Sequence, residues 1–284
     1  MFLCIYLIGL LGNLIIIVVV SMDSRLHTPM YFFLCNLSAV DICYTTVTLP
    51  KLMDILATGN NSISFEQCFI QMYFYNFIGS SEIILLSVMA YDRYVAICNP
   101  LKYHLIMNRK KIVMIWVLIW VSGCGNSLFC TSFASNLSFC QSNRIQNFYC
   151  DIKAIAKISC ADTSFHIVIY IECLLFGLLP FLLSITSYVK IIISILHIKS
   201  KESRRKAFST CTSHLTVLVM FYGTILCMYM GPTSGSSDKL DQIFSVLYTA
   251  LTPMLNPLVY SLRNKEVKSA LSRLGQVKSL IEHL

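Results

Sequence analysis

Charge is what this chain has least of. Only 13% of its 284 residues are Asp, Glu, Lys or Arg, against about 25% in an ordinary soluble domain. Hydrophobic residues make up 56%, more than one buried core absorbs. That scarcity excludes a polar-skinned globular protein and points to a chain whose outer surface faces lipid. No soluble domain, nucleotide loop or low-complexity segment interrupts the apolar runs. No GxSxG or HExxH pattern occurs, and His104, His197 and His214 have no evident metal partner, which argues against an enzyme. Neither an internal repeat nor a ring of charge suggests a transporter or channel. The formal net charge is +8, but the basic residues sit in short loops rather than on one soluble face, so nucleic acid is rejected as a partner.

What is present is a series of apolar runs, each near the ~20 residues that span a bilayer. There are seven: about 2–20, 29–53, 66–98, 112–130, 165–196, 207–230 and 240–262. Turn and polar signals such as "SMDSRLHTP", "TGNNS", "NRKK", "KSKESRRK" and "GPTSGSSDK" bound several of them. The expected fold is an all-α membrane protein, a single seven-helix domain with a tail at 263–284.

Lys and Arg near the run ends set the orientation. One set of loops carries Arg25, Lys102, Arg109, Lys110, Lys111, Lys199, Lys201, Arg204, Arg205 and Lys206, and the tail adds Arg263, Lys265, Lys268, Arg273 and Lys278. The opposite set has only Lys51, Arg144, Lys153, Lys157 and Lys239. The first set is expected to be cytoplasmic, with the N-terminus outside. The first run could be read as a signal peptide, but it lacks a basic start and a convincing cleavage site, so a first span is favoured.

Cysteines divide into two groups. Cys4, Cys35, Cys43, Cys173 and Cys227 lie within apolar runs and act as small hydrophobes. Cys68, Cys140, Cys150 and Cys160 lie on the outer side, where disulfides form. Four cysteines allow three pairings, and the sequence does not choose among them. Their spacing fits no compact zinc pattern. Asn60 and Asn136 head glycosylation triplets in outer loops, whereas the triplet at Asn36 falls within a span.

A few ionisable groups interrupt the runs: Asp41, Glu82, Glu172 and the pair Asp92-Arg93. Each costs ~2.5 kcal/mol or more in a span and is functional by default. Asp92-Arg93 reads either as a solvated helix end or as a switch, paired in one state and released in another. Asp41 and Glu82, with Asn13, Ser38 and Asn256 as partners, could share a proton, hold a cation or form a purely structural network. Pro257 breaks the helical ladder just after Asn256, a kink that would swing Tyr260. On the third run Tyr75, Asn76, Gly79 and Ser80 share one face at helical spacing, either lining a pocket or packing against a neighbour.

The motifs "GN" at 12–13, "LHTPMYFFL" at 26–34, "LSAVD" at 37–41, "MAYDRYVAIC" at 89–98, "SY" at 187–188, "KAFSTCTSHL" at 206–215, "FYGT" at 221–224 and "PMLNPLVYSLRNKEV" at 253–267 occur in order. Together they resemble the vertebrate olfactory (odorant) receptors, a branch of the rhodopsin-like G-protein-coupled receptors, over nearly the whole chain. The resemblance implies a short amphipathic helix after the seventh span and a plasma-membrane location. It implies disulfides Cys68–Cys150 and Cys140–Cys160. Asp92, Arg93 and Tyr94 would form the switch that engages a stimulatory, olfactory-type G protein and raises cyclic AMP. Tyr188, Asn256, Pro257 and Tyr260 would move on activation. Asp41, Glu82 and Asn256 would form a polar site for a structural sodium ion, the one cofactor suggested.

By similarity, Glu172, Phe176, Tyr222, Ile225, Leu226, Tyr229, Val246 and Thr249 would face Tyr75, Asn76, Gly79 and Ser80 across a ligand pocket. Tyr222 would stand where many related receptors carry a ligand-sensing Trp. Such a pocket suits a small, largely apolar, volatile molecule. Glu172 would favour an amine if charged, and could donate to a carbonyl if protonated. Basic residues would also meet anionic lipid. Family members usually carry an exposed segment before the first helix, which this sequence lacks. A partial, non-signalling gene product is therefore the alternative reading.

Overall fold

The computed structural model describes residues 2–140, 144–145, 147–160, 163–230 and 243–282. Eight long helices account for most of them. They are α1 (Phe2–Met22), α2 (Pro29–Thr58), α3 (Phe65–Cys98), α4 (Arg109–Ser135), α5 (163–197), α6 (Lys201–Met230), α7 (243–263) and α8 (Lys265–Glu282). Six are long and apolar enough to cross a bilayer, and α6 contributes a shorter apolar stretch, Cys211–Cys227. Lys239 and residues 240–242, the expected start of the seventh span, lie outside the described residues. So do the side chains of Lys206, Tyr229, Arg263 and Lys278.

Helix ends follow local chemistry. Ser64 and Gln67 form a capping box at the start of α3. Asn108 Oδ1 accepts from the Lys111 N–H at 3.0 Å and starts α4. The second helix runs past the expected 53 to Thr58, and Gly59 at φ +72° closes it with its N–H on Ile55 O. The sixth begins at Lys201 rather than 207, because Lys, Glu and Arg are good helix formers that extend a span into water.

Two π-helical stretches break the regular period, Cys173–Leu178 in α5 and Leu247–Leu251 in α7. Each ends two residues before a proline, Pro180 or Pro253. A proline ring clashes with the carbonyl four residues back, and a widened turn relieves that clash. The Thr252 hydroxyl donates to Leu247 O at 3.2 Å, five residues back, as the wider turn requires.

The third helix packs against α2, α4, α5 and α6, while α7 joins α1 to α6 and closes the ring. A Cβ at Gly12 would lie 2.9 Å from Pro257 Cγ and one at Gly9 3.5 Å from Met254 Cα, so α1 and α7 pack closely through glycine. Along α5 the inward side buries Ser184, Ser187, Tyr188 and Ile191, whereas Leu182, Leu183, Val189 and Ile192 are exposed. Polar groups thus face the bundle and apolar ones the lipid. In α2, Asn36 turns to α4 and accepts from Trp116 Nε1 at 2.8 Å, which accounts for a triplet asparagine inside a span.

At one end of the bundle the segment between α4 and α5 forms a lid. It carries a short helix, Ile152–Ile158, capped by Asp151, and one isolated bridge between Phe139 and Ser159. Cys150 is bonded to Cys68 at the start of α3, and Cys140 to Cys160 within the segment. Asn60 and Asn136 are exposed at this end.

Candidate functional site

Three polar assemblies lie along the bundle. The first is at the end opposite the disulfides. Asp92 is 0% exposed. Its Oδ2 accepts from Arg93 Nε at 2.9 Å and from Arg93 Nη2, and its Oδ1 accepts from the Tyr103 hydroxyl at 2.8 Å. Tyr103 sits in the short helix Tyr103–Ile106 between α3 and α4. Burial, and then the Asp92 charge, push its hydroxyl well above the usual phenol range, so it stays a donor. The Asp92 carboxylate is therefore held by two partners, and the half-buried Arg93 is neutralised by its neighbour. Lys190 of α5 lies over the Tyr94 ring at 5.3 Å.

Tyr188 of α5 is tied to α6. Its hydroxyl meets His214 Nδ1 at 2.9 Å and Cys211 O at 3.4 Å. His214 is fully buried and also reaches the Leu86 backbone of α3. The Tyr260 hydroxyl, on α7, is buried and unpartnered. Sequence reasoning placed Tyr188 and Tyr260 near the switch but missed Tyr103 and His214. Spacing gives no warning of a contact between helices. Just beyond, α8 is anchored by Tyr31, whose hydroxyl donates to Asn264 Oδ1 at 3.2 Å and Glu266 Oε2 at 2.8 Å. It is also anchored by Arg273, which binds Asp23. That hydrogen bond holds the Asp23 carboxyl below the usual carboxylate range.

The second assembly is mid-bundle. Asn256 Nδ2 donates to both oxygens of Asp41, at 3.1 and 3.0 Å. Asn13 Nδ2 donates to Gly9 O and Pro253 O, at 3.0 and 3.1 Å. Asp41 and Glu82 are both buried, and Asp41 feels the charge of Glu82. The Oδ1 atoms of Asn13 and Asn256 accept nothing. Oxygen is the donor type a hard cation takes. Among the described residues, no group of three or more His, Cys, Asp or Glu is placed to hold a metal ion.

The third assembly lies toward the disulfide end, and it divides the expected pocket residues in two. Tyr75 joins an aromatic cluster, with its ring 4.6 Å from Tyr149 of the lid and 5.2 Å from Tyr44 of α2. Tyr44 in turn meets Tyr248 of α7 at 5.3 Å. The Tyr75 hydroxyl donates to that of Tyr149, which donates to Ser245 Oγ. Burial pushes the Tyr149 hydroxyl up to about 12. Gly79 faces the Tyr44 and Tyr248 hydroxyls, 4.0 and 3.9 Å from where a Cβ would stand. Tyr44 is 2% exposed and its hydroxyl lies against that of Tyr75; Asn76 is 8% exposed and its Nδ2 has no partner. Above Tyr149 opens a cavity of about 660 Å³, lined also by Lys51, Gln71, Arg144 and Asn147.

Ser80 belongs to the other half. Asn126 of α4 donates through Nδ2 to Ser80 Oγ at 3.0 Å and to Glu172 Oε1 of α5 at 3.3 Å. Phe176 is half-buried in the π-helical stretch one turn beyond Glu172. On α6, Tyr222 meets Ser184 Oγ at 3.4 Å and the Phe181 ring at 4.9 Å. Ile225 is half-buried, and Leu226 is 44% exposed. On α7, Val246 is half-buried and Thr249 fully buried, its hydroxyl turned back on Ser245 O. Sequence reasoning missed Asn126, Tyr44, Tyr149 and Tyr248.

With this geometry in view, comparison with known proteins is direct. A family profile described as "Olfactory receptor" matches residues 2–278. "Olfactory receptor 1" of Rattus norvegicus is 47% identical over 275 residues, covering 96% of this chain and 88% of the relative. "Olfactory receptor 2K2" of Homo sapiens is 48% identical, covering 95% and 85%. Among solved structures, squid rhodopsin superposes with a TM-score of 0.74 at 17% identity, covering 95% of this chain and 82% of rhodopsin. That likeness shows a shared seven-helix fold. Proteins of this kind are multi-pass plasma-membrane receptors that act through a G protein, and they are not enzymes. On the profile match and these identities, the chain belongs to the olfactory receptor family.

Proposed function

We propose that this receptor binds a small, mostly apolar odorant in the disulfide-end half of the bundle and activates a stimulatory, olfactory-type G protein, raising cyclic AMP. The disulfide end and the N-terminus face outward, and the basic end with α8 faces the cytoplasm. The observation that carries the reading is the closed knot at the inner end. Arg93 is held by Asp92, Asp92 also by Tyr103, and Tyr188 is held on α6 by His214. A ligand that binds better to an open arrangement shifts the population toward it. Opening moves α6 outward, separates Tyr188 from His214 and frees Arg93 for the C-terminal helix of the G protein.

Asp41, Glu82 and the unpartnered oxygens of Asn13 and Asn256 fit a sodium ion. It would offset the cost of two buried carboxylates that no Lys or Arg neutralises. Exposed Lys265 and Lys268 on α8 suit anionic inner-leaflet lipid. The test is a cyclic AMP reporter screen of a tagged receptor against a chemically diverse odorant panel. Arg93→Ala is expected to abolish every response with surface expression kept. A full response from that variant would remove the switch assignment.

A further inference from the structure

Glu172 is a carboxylate in a span with no cation beside it. Its partners are neutral: Asn126 Nδ2 donates to it at 3.3 Å, and the Cys130 thiol lies against it. No Lys, Arg or His lies within ion-pair distance among the described residues, and the charge that reaches it is that of Asp151, another acid. Yet it does not point to lipid. Phe165 and Val168 are buried, and Glu172 and Phe176 continue that stripe at helical spacing along α5. On α4, Gly123, Ser127 and Cys130 are buried, so the Asn126 side turns toward α3 and α5. Asn126 is itself fixed, since Nδ2 serves Ser80 and Glu172 while Oδ1 accepts the Cys130 thiol at 3.7 Å.

Asp41 and Glu82 share the mid-bundle polar site, and three other acids have a cation beside them. Asp92 has Arg93, Asp23 has Arg273 and Asp54 has Lys51. A buried charge is retained only when something pairs with it. Here Asn126 of α4, itself tied to Ser80 of α3, holds the half-buried carboxylate in place and leaves the pairing undone.

We infer that Glu172 is the counter-ion for a ligand ammonium, and that this receptor takes small primary or secondary amines, with Asn126 as the positioning residue. This deepens the receptor reading above and rests on it. The second Glu172 oxygen and a Ser80 lone pair would accept N–H bonds from the ammonium. The ligand's hydrocarbon body would lie along Phe176 and toward Tyr222. Asn126 touches the carboxylate rather than the ligand.

The test uses matched pairs: isopentylamine with isopentanol, cyclohexylamine with cyclohexanol, and 2-phenylethylamine with 2-phenylethanol. Two readouts run in parallel on the full chain: cyclic AMP in cells at matched surface expression, and thermal unfolding of purified receptor in lipid nanodiscs. At least one amine should act at a concentration about tenfold or more below its alcohol. Glu172→Gln should raise that amine's half-maximal concentration about thirtyfold or more, because one partner of a desolvated charge pair is lost. The alcohol should stay within about threefold, and Glu172→Asp should restore part of the amine response. Asn126→Ala should weaken the amine and leave the alcohol unchanged, which a general loss of packing would not do.

Amines no better than alcohols in both readouts would overturn the inference, as would Glu172→Gln retaining full amine potency. Amines that stabilise the wild-type receptor but raise no cyclic AMP would support the site and count against the signalling reading. Amines that neither bind nor signal, while basal cyclic AMP exceeds that of Arg93→Ala, would sink the site and leave the receptor reading standing.

Discussion

The two ends of this bundle differ in how they treat charge, although the Tyr260 hydroxyl near the Arg93 end is also buried without a partner. At the Arg93 end the charges are answered: Asp92 takes Arg93 and Tyr103, Asp23 takes Arg273, and Asn264 and Glu266 take Tyr31. Toward the disulfide end two groups are left waiting: Glu172 lacks a cation, and the Asn76 amide lacks an acceptor. A buried donor without a partner costs about 1–3 kcal/mol. A fold tolerates that cost where a ligand supplies the partner. On the function proposed above, one end would be closed at rest and the other incomplete until a ligand occupies it.

The largest effect should come from removing what holds the incomplete end in shape. The Cys68–Cys150 bond ties the lid to α3, and Cys150 N–H also donates to Gln71 at 3.1 Å. Cys68→Ser should cost about 2–5 kcal/mol and strip the receptor from the cell surface. Flow cytometry of a tagged receptor measures it, and normal surface display would show that the lid holds without the bond.

Next comes the closed end. Tyr103→Phe removes one of the partners of Asp92, worth about 1 kcal/mol. Basal cyclic AMP should rise about two- to fivefold at equal surface expression. An unchanged basal level would mean that Tyr103 is a bystander.

Tyr44→Phe sharpens the contrast from the other side. It deletes a buried hydroxyl that lies against Tyr75, so the empty receptor should change in stability by about 1 kcal/mol or less. Thermal unfolding in nanodiscs reads this. A loss well above that would show the hydroxyl to be firmly bonded and weaken the claim that this end is unfinished.

The smallest effect belongs to Asp23. Its carboxyl titrates below its unfolded value because Arg273 binds the charged form. The contact is complete above the ordinary carboxylate range and is lost as pH falls through the lowered value. Asp23→Asn should therefore flatten any dependence of α8 hydrogen exchange on acid pH. An unaltered acid dependence would place its cause elsewhere.

Much of this was legible in the residues. Apolar runs and basic loops mark lipid-facing helices and their ends, because hydropathy reports the solvent around a segment. Isolated acids such as Asp41 and Glu172 stand out for the same reason. Hydropathy does not report which helix is a neighbour. Asn126 reads as one polar residue in "GCGNSLF" until α3 and α5 close on it, and Tyr103 reads as part of a loop. The π-helical stretches were also invisible, since one extra residue per turn barely alters an all-apolar pattern such as "CLLFGL". The expected pocket was a single set of residues. The structure divides it between the aromatic cluster at Tyr75 and the polar one at Ser80, a distinction made by α4, which the sequence argument left out of the pocket.

The claim that the inner end is held shut by Asp92 can be measured without any ligand. Basal cyclic AMP is compared between wild type and Asp92→Asn, at matched surface expression, in cells supplied with the stimulatory G protein. The account predicts a severalfold rise, because Arg93 loses its charged partner and Tyr103 its acceptor. A basal level equal to or below wild type, from a receptor fully displayed at the surface, would contradict it.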